Sequence, residues 1–175
     1  KLISEYEVPI RILDIGGGFP VDYDNGSDID IAAFCAPIRV ALKKLPEHVE
    51  VIAEPGRYLI APAAASVTTV VGKALRGDQP WYYLDDGVYG MFSGRIYDHA
   101  RYPLHVFRTG ATKPSAVVGP TCDSIDVIEE ALELPELAVG DLMIGRMMGA
   151  YTAATASTFN SLPVPRIVVL NEWNE

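Results

Sequence analysis

Ile10-Arg11-Ile12-Leu13-Asp14-Ile15 is a nearly continuous apolar run, and it leads directly into Gly16-Gly17-Gly18-Phe19-Pro20. An apolar run without alternation is the pattern of a strand buried on both faces of a parallel sheet. A tight turn after such a strand is where α/β barrels and open α/β sheets gather their ligands. Ile31, Phe34, Cys35, Ile38, Leu42 and Leu45 then recur at helical spacing behind a capping residue, Ser27 or Asp28. Pro37 interrupts that stripe and predicts a kink or two abutting helices. Cys35, on the stripe, reads as core. Val49-Glu50-Val51-Ile52-Ala53 is a second strand, ending at Glu54-Pro55-Gly56-Arg57. Strand, helix, strand is a βαβ unit, which implies a parallel sheet.

After Ala61 the pattern changes. Short β-branched or aromatic runs begin at Val67, Trp81, Leu104, Ser115, Asp141 and Arg166, separated by turns such as Gly77-Asp78. That reads as an all-β unit, a sandwich or barrel. Two stretches within it read as helical, residues 124–132 and 150–159. The fold class is therefore α/β followed by all-β. The boundary is placed near residue 60, giving domains of residues 1–60 and 61–175. Residues 1–7 read as a helix end, and the start at Lys1-Leu2-Ile3 reads as the later part of a longer protein.

Composition narrows the function. Of the 175 residues, 49% are apolar, ample for a real core, and the net charge is −9, spread along the chain. A nucleic-acid surface needs a basic patch, so that class is excluded. An acidic surface is compatible with a cationic small substrate. The two cysteines, Cys35 and Cys122, sit in unlike contexts and form neither a disulfide framework nor a zinc cluster. They fit a reducing compartment, the cytoplasm. No signal peptide opens the chain and no apolar run spans a bilayer, so no membrane role is expected.

Five stretches carry chemistry. Gly16, Gly17 and Gly18 let backbone approach a ligand and leave N–H groups free to meet an anion. They are contiguous and no helix follows them at once, so they are not a dinucleotide fingerprint. Arg57 suits bidentate phosphate contact, and Glu54 sets a carboxylate on the same turn. Asp98, in Tyr97-Asp98-His99, can bind a cationic end of a substrate. His99 and His105 have no partner at ligand spacing, so no metal is expected. In Gly119-Pro120-Thr121-Cys122-Asp123-Ser124 a thiol stands beside a carboxylate behind a turn. Tyr151, near a helix start, brings a phenol that can reach a phosphate.

Together with Asp86-Gly87-Val88-Tyr89-Gly90 and Ala156-Ser157-Thr158-Phe159-Asn160, these segments in this order resemble the pyridoxal-phosphate-dependent decarboxylases of basic amino acids, the alanine-racemase-fold family that includes the ornithine decarboxylases. The resemblance implies the end of a (β/α)8 barrel followed by a β-domain, with the Tyr151 helix turning back toward the barrel. It implies that Gly16, Gly17, Gly18, Arg57 and Tyr151 hold the phosphate of pyridoxal 5'-phosphate. Glu54, on its Pro55-Gly56 turn, pairs with the pyridine nitrogen. Tyr97, Asp98 and Asp123 bind the substrate's distal ammonium, and Cys122 protonates the carbanion. The resemblance further implies a homodimer in which Cys122 and Asp123, with Tyr89 nearby, enter the partner's site. The family's Schiff-base lysine falls upstream: Lys43, Lys44, Lys73 and Lys113 match no motif. Decarboxylation of L-ornithine to putrescine is the expected activity. Lysine or another diamino acid as substrate, and a non-catalytic regulatory homologue, are the alternatives.

Overall fold

The computed structural model describes residues 9–23 and 29–170. The helix end expected over residues 1–7 and the caps expected at Ser27 or Asp28 lie outside the described residues. The chain begins with β1 (Ile12–Asp14), α1 (Ile31–Leu42) and β2 (Glu50–Ile52). β1 and β2 pair in parallel, Ile12 opposite Glu50 and Asp14 opposite Ile52. Asp30 caps α1, its Oδ1 accepting the Ala33 N–H at 3.0 Å, which meets the first orphan donors of the helix. One helix runs through Pro37, in place of two abutting ones. The expectation that β1 is buried on both faces is corrected: Ile12 is 53% and Ile52 43% exposed. Among the described residues no second layer covers this strand pair.

A short helix, α2 (Gly56–Ile60), and a single 3₁₀ turn, Ala61–Ala63, connect this unit to a six-stranded sheet. Its strands are β3 (Ser66–Arg76), β4 (Gln79–Leu84), β5 (Leu104–Val106), β6 (Lys113–Val118), β7 (Val127–Leu134) and β8 (Leu142–Gly145). Their order is β5-β8-β3-β4-β6-β7. Its strands are hydrogen-bonded in one continuous sheet, and it is mixed, because β4 and β6 run parallel. β3 is its spine. The first half of β3 pairs with β8, Ser66 opposite Gly145, and the second half pairs with β4, Arg76 opposite Gln79. The register shifts between Val70 and Gly72, where the two pairings meet. Bulges bend and twist a strand. Alternation is clear there: Ser66, Thr68 and Val70 are buried while Val67 and Val71 are exposed. The buried hydroxyl of Thr68 is satisfied by the Met143 carbonyl at 3.0 Å. The core gathers Val70, Leu84, Phe92, Val117, Ile128 and Met143.

Three expectations are corrected. Residues 124–132 are not helical; a turn at 124–125 leads into strand β7. Glu, Ala and Leu favour a helix there, but pairing with β6, Ser115 opposite Leu132, overrides propensity. Residues 150–159 form isolated 3₁₀ turns, Ala153–Thr155 and then Phe159–Ser161. Tyr151 and Asn160 adopt φ of +53° and +54°, which a helix cannot accommodate. The Thr152 hydroxyl closes on the Met148 carbonyl at 2.5 Å and the Thr155 hydroxyl on the Tyr151 carbonyl at 3.0 Å, both local alternatives to helix. Residues 166–170 form no strand, and Ile167, Val168 and Val169 are exposed beside no partner among the described residues.

The segment before Tyr151 is locked to the 3₁₀ turn that follows α2. Met148 N–H donates to the Ala64 carbonyl at 2.9 Å and Gly149 N–H to the Ala61 carbonyl at 3.0 Å. A Cβ on Gly149 would run into the Ile60 carbonyl. Gly149→Ala should therefore lower stability by roughly 1–3 kcal/mol, the usual cost of overpacking. The midpoint of denaturant unfolding checks this; a wild-type midpoint would mean the two segments can part freely.

Candidate active site

At the ends of β1 and β2 the backbone itself sets the stage. Gly16 and Gly18 take φ of +72° and +80°, values that L side chains rarely adopt, and both face open space. Gly16 N–H donates to Asp14 Oδ1 at 2.7 Å, and the Gly16 carbonyl accepts Glu54 N–H at 2.9 Å. The two turns are thus one unit, and a Cβ on Gly17 would press the Glu54 carbonyl at 3.0 Å. Glu54 is exposed.

Arg57, on the first turn of α2, is the centre of the polar cluster. Its Nη1 donates to the Tyr23 hydroxyl at 3.0 Å and its Nη2 to Asp98 Oδ2 at 2.7 Å. Its guanidinium carbon lies 4.7 Å from the centre of the Tyr151 ring, a cation–π contact. Burial works against the charge, but the bonds to Asp98 and Tyr23 outweigh it and leave the guanidinium above its ordinary pKa. Tyr23 in turn meets Tyr102 edge to face, ring centres 5.5 Å apart. A cleft of about 500 Å³ opens beside them, lined by Val21, Asp22, Tyr23, Arg57, Asp98, His99, Ala100 and Arg101. Asp98 caps the short helix α3 (Gly94–Tyr97), and its neighbour Tyr97 is 73% exposed.

Cys122 and Asp123 build a second cluster, on the loop between β6 and β7. Tyr89 hydroxyl donates to Asp123 Oδ2 at 2.5 Å, and Ile125 N–H to Asp123 Oδ1 at 3.2 Å. The hydroxyl first, and then the backbone donors, hold this carboxyl below the ordinary carboxylate range. The same bond pushes the Tyr89 phenol up to about 12. The Tyr89 ring stacks on Phe159, centres 4.2 Å apart. Cys122 is exposed, and its Sγ accepts Asn160 Nδ2–H at 3.4 Å. Beneath the loop, Asp126 accepts Val88 N–H at 2.8 Å, Thr121 N–H at 3.0 Å and the Thr121 hydroxyl at 2.7 Å.

The structure brings Arg57, Asp98 and Tyr151 together, with the Gly16–Gly18 turn bonded to the turn that leads into Arg57. It also joins Cys122, Asp123 and Tyr89. No hydrogen bond or ring contact links the two groups directly among the described residues. The 151–157 segment runs between them: Ser93 Oγ donates to the Tyr151 carbonyl at 3.0 Å and Ser157 N–H to the Tyr89 carbonyl at 2.8 Å. Asp98 is held by Arg57 in an ion pair of 2.7 Å. Sequence reasoning missed Tyr23, Asp126 and Asn160 as positioning groups. Asn160 lay within a segment that carried the resemblance, with no role of its own; Tyr23 and Asp126 had no signal.

Residues 23–149 match the family described as pyridoxal-dependent decarboxylase, C-terminal sheet domain. The chain belongs to this family. It is 54% identical to the lysine/ornithine decarboxylase of Vibrio vulnificus, whose complex with cadaverine superposes with a TM-score of 0.88 over 98% of this chain and 47% of that one. It is 44% identical to the lysine/ornithine decarboxylase of Selenomonas ruminantium, covering 98% of this chain and 44% of the relative. The ornithine decarboxylase of Mus musculus is 38% identical over 95% of this chain and 40% of its own length. The chain thus spans less than half the length of these relatives. The family is pyridoxal-dependent, and its members named here are lyases. Among the described residues no helix is long and apolar enough to cross a membrane.

The Tyr89–Asp123 bond has a measurable consequence. A carboxyl lowered in the folded state contributes stability above its ordinary pKa that is lost as the pH falls through the lowered value. Tyr89→Phe should move the Asp123 carboxyl back up toward the ordinary range. A carbon-detected NMR titration of Asp123 checks this, and an unmoved midpoint would show that the phenol does not hold the carboxylate.

Proposed function

We propose that this chain forms part of a pyridoxal-phosphate-dependent active site that decarboxylates L-ornithine to putrescine. The observation that carries the reading is the convergence of the Gly16–Gly18 turn, Arg57 and Tyr151 at the ends of two parallel strands. The donor set fits a phosphate: a guanidinium with N–H groups to spare, a phenol beside it, and glycines whose outer faces are open. Gly16, Gly17, Gly18, Arg57 and Tyr151 would hold that phosphate. Glu54, on the Pro55-Gly56 turn, would pair with the pyridine nitrogen. When bound, the cofactor supplies an electron sink for the pair of electrons left by departing CO₂.

The chain's own residues supply the rest. Glu54 would supply the carboxylate that favours a protonated ring nitrogen. Asp98 and Asp123 accept the distal ammonium of the substrate, with Tyr97 beside Asp98. Cys122 returns a proton to carbon. The parallel β1-α1-β2 unit supports residues 1–60 as the end of a (β/α)8 barrel, with residues 61–175 as the sheet domain. The separation of the Cys122 group from the Arg57 group supports a homodimer in which each protomer's Cys122, Asp123 and Tyr89 serve its partner. Lysine is the second reading, favoured by the names of the Vibrio and Selenomonas relatives.

CO₂ release by the full-length protein with added pyridoxal phosphate tests this. Ornithine should show the highest kcat/KM, above lysine and arginine. Asp98→Ala should lower it about 10- to 100-fold, the loss expected for a hydrogen bond to a charged group. Arg57→Ala should weaken cofactor retention by a similar factor of about 10–100. Lysine ahead of ornithine would replace the substrate assignment. No CO₂ from any diamino acid would leave a non-catalytic regulatory relative as the reading.

A further inference from the structure

Phe159 and Asn160 sit on one 3₁₀ turn and reach both members of the thiol–carboxylate pair. Phe159 stacks on Tyr89, whose hydroxyl holds Asp123. Asn160 Nδ2–H points at Cys122 Sγ, 3.4 Å away. Asn160 does so from a left-handed backbone, φ +54°, and Ser161 beside it is at +60°. Asn tolerates this region far better than most side chains, because its short amide can bond locally. Here the amide bonds a thiol 38 residues away instead. A backbone held in a sparsely populated conformation, with its side chain aimed at a reactive group, calls for a reason.

We propose that Asn160 is a positioning residue for the Cys122 proton: its amide N–H occupies a lone pair of the sulfur, so the S–H is directed away from the 159–161 turn and toward the open face of the loop. The inference rests on the reading of Cys122 as the proton donor. In that step the S–H bond breaks, a C–H bond forms with the carbon's electron pair, and the sulfur keeps the electrons of the S–H bond as a thiolate. A hydrogen bond to a charged acceptor is stronger than one to a neutral acceptor. The Asn160 N–H thus binds the product of the transfer more tightly than its reactant, and favours delivery. Solvent then returns a proton to the exposed thiolate. The ring contact through Phe159 ties the carboxylate and the thiol to the same turn, so a substrate ammonium on Asp123 is registered against the Cys122 proton.

Asn160→Asp keeps the shape and the left-handed tolerance of the residue, but replaces the donor by a like charge beside the sulfur. In the full-length protein, alkylation of Cys122 by iodoacetamide, followed by peptide mass spectrometry with Cys35 as internal reference, should slow about tenfold, because a neighbouring negative charge disfavours the thiolate that reacts. Asn160→Gly keeps the backbone and removes the amide. With cofactor and diamino acid, both variants should send a larger share of turnovers to the amine-transfer by-product. Neither should add to the share produced by Cys122→Ala, while KM stays near wild type. Alkylation at the wild-type rate, a wild-type product partition, or effects additive with Cys122→Ala would overturn the proposal. If no diamino acid yields CO₂ but alkylation is still slowed, the decarboxylase reading fails and the Asn160–Cys122 pairing stands.

Discussion

Asp126 is a carboxylate buried to 3% exposure, and the geometry of the β6–β7 loop hangs on it. Removing a charged group from water costs several kcal/mol unless hydrogen bonds replace the solvent. Here the replacement comes from two segments distant in sequence: the Val88 N–H, and the N–H and hydroxyl of Thr121. The Asp126 carbonyl also accepts the Gly119 N–H at 2.9 Å, which starts the β7 ladder. Crowding around the carboxylate explains two glycines, because a Cβ on Gly87 or on Gly119 would overlap it. One side chain therefore sets where Cys122 and Asp123 leave the sheet and where Tyr89 approaches them.

Arg57 plays the matching part at the other cluster. It carries a tyrosine hydroxyl, a carboxylate and an aromatic face at once. A planar guanidinium can serve all three, whereas an ammonium lacks both the fork and the stacking face. The locked contact of Met148 and Gly149 with the turn that follows α2 carries Tyr151 over it. The sheet domain and the parallel strand unit thus meet at the polar cluster itself, and each helps to hold the other's functional residue.

Much of this was legible in the chain. The runs at β1 to β6 and β8 read as strands because β-branched and aromatic residues sit between glycine and proline turns. Gly16 to Gly18, Glu54 and Arg57 read as a ligand turn because they follow strands directly. The stretch 124–132 misread as helix because Glu, Ala and Leu suit both states in isolation, and only the β6 edge decides between them. The stretch 150–159 misread because its threonine hydroxyls and left-handed residues leave no periodic trace. Residues 166–170 read as a strand from β-branching alone, but a strand needs a neighbour.

The sequence by itself determined the order of the chemical residues and the change from βαβ to sheet, because these rest on local composition and spacing, and its motifs carried the resemblance to the family. The tertiary structure decided which of those residues touch. Asp98 lies 41 residues from Arg57 and Asn160 lies 38 residues from Cys122. Nothing local couples such pairs. They meet because β6 accepts β7 and the 148–160 segment is fastened to the 3₁₀ turn after α2 and to Ser93 and Tyr89. Hydrogen bonds act over about 3 Å, and only the folded chain sets distances that short.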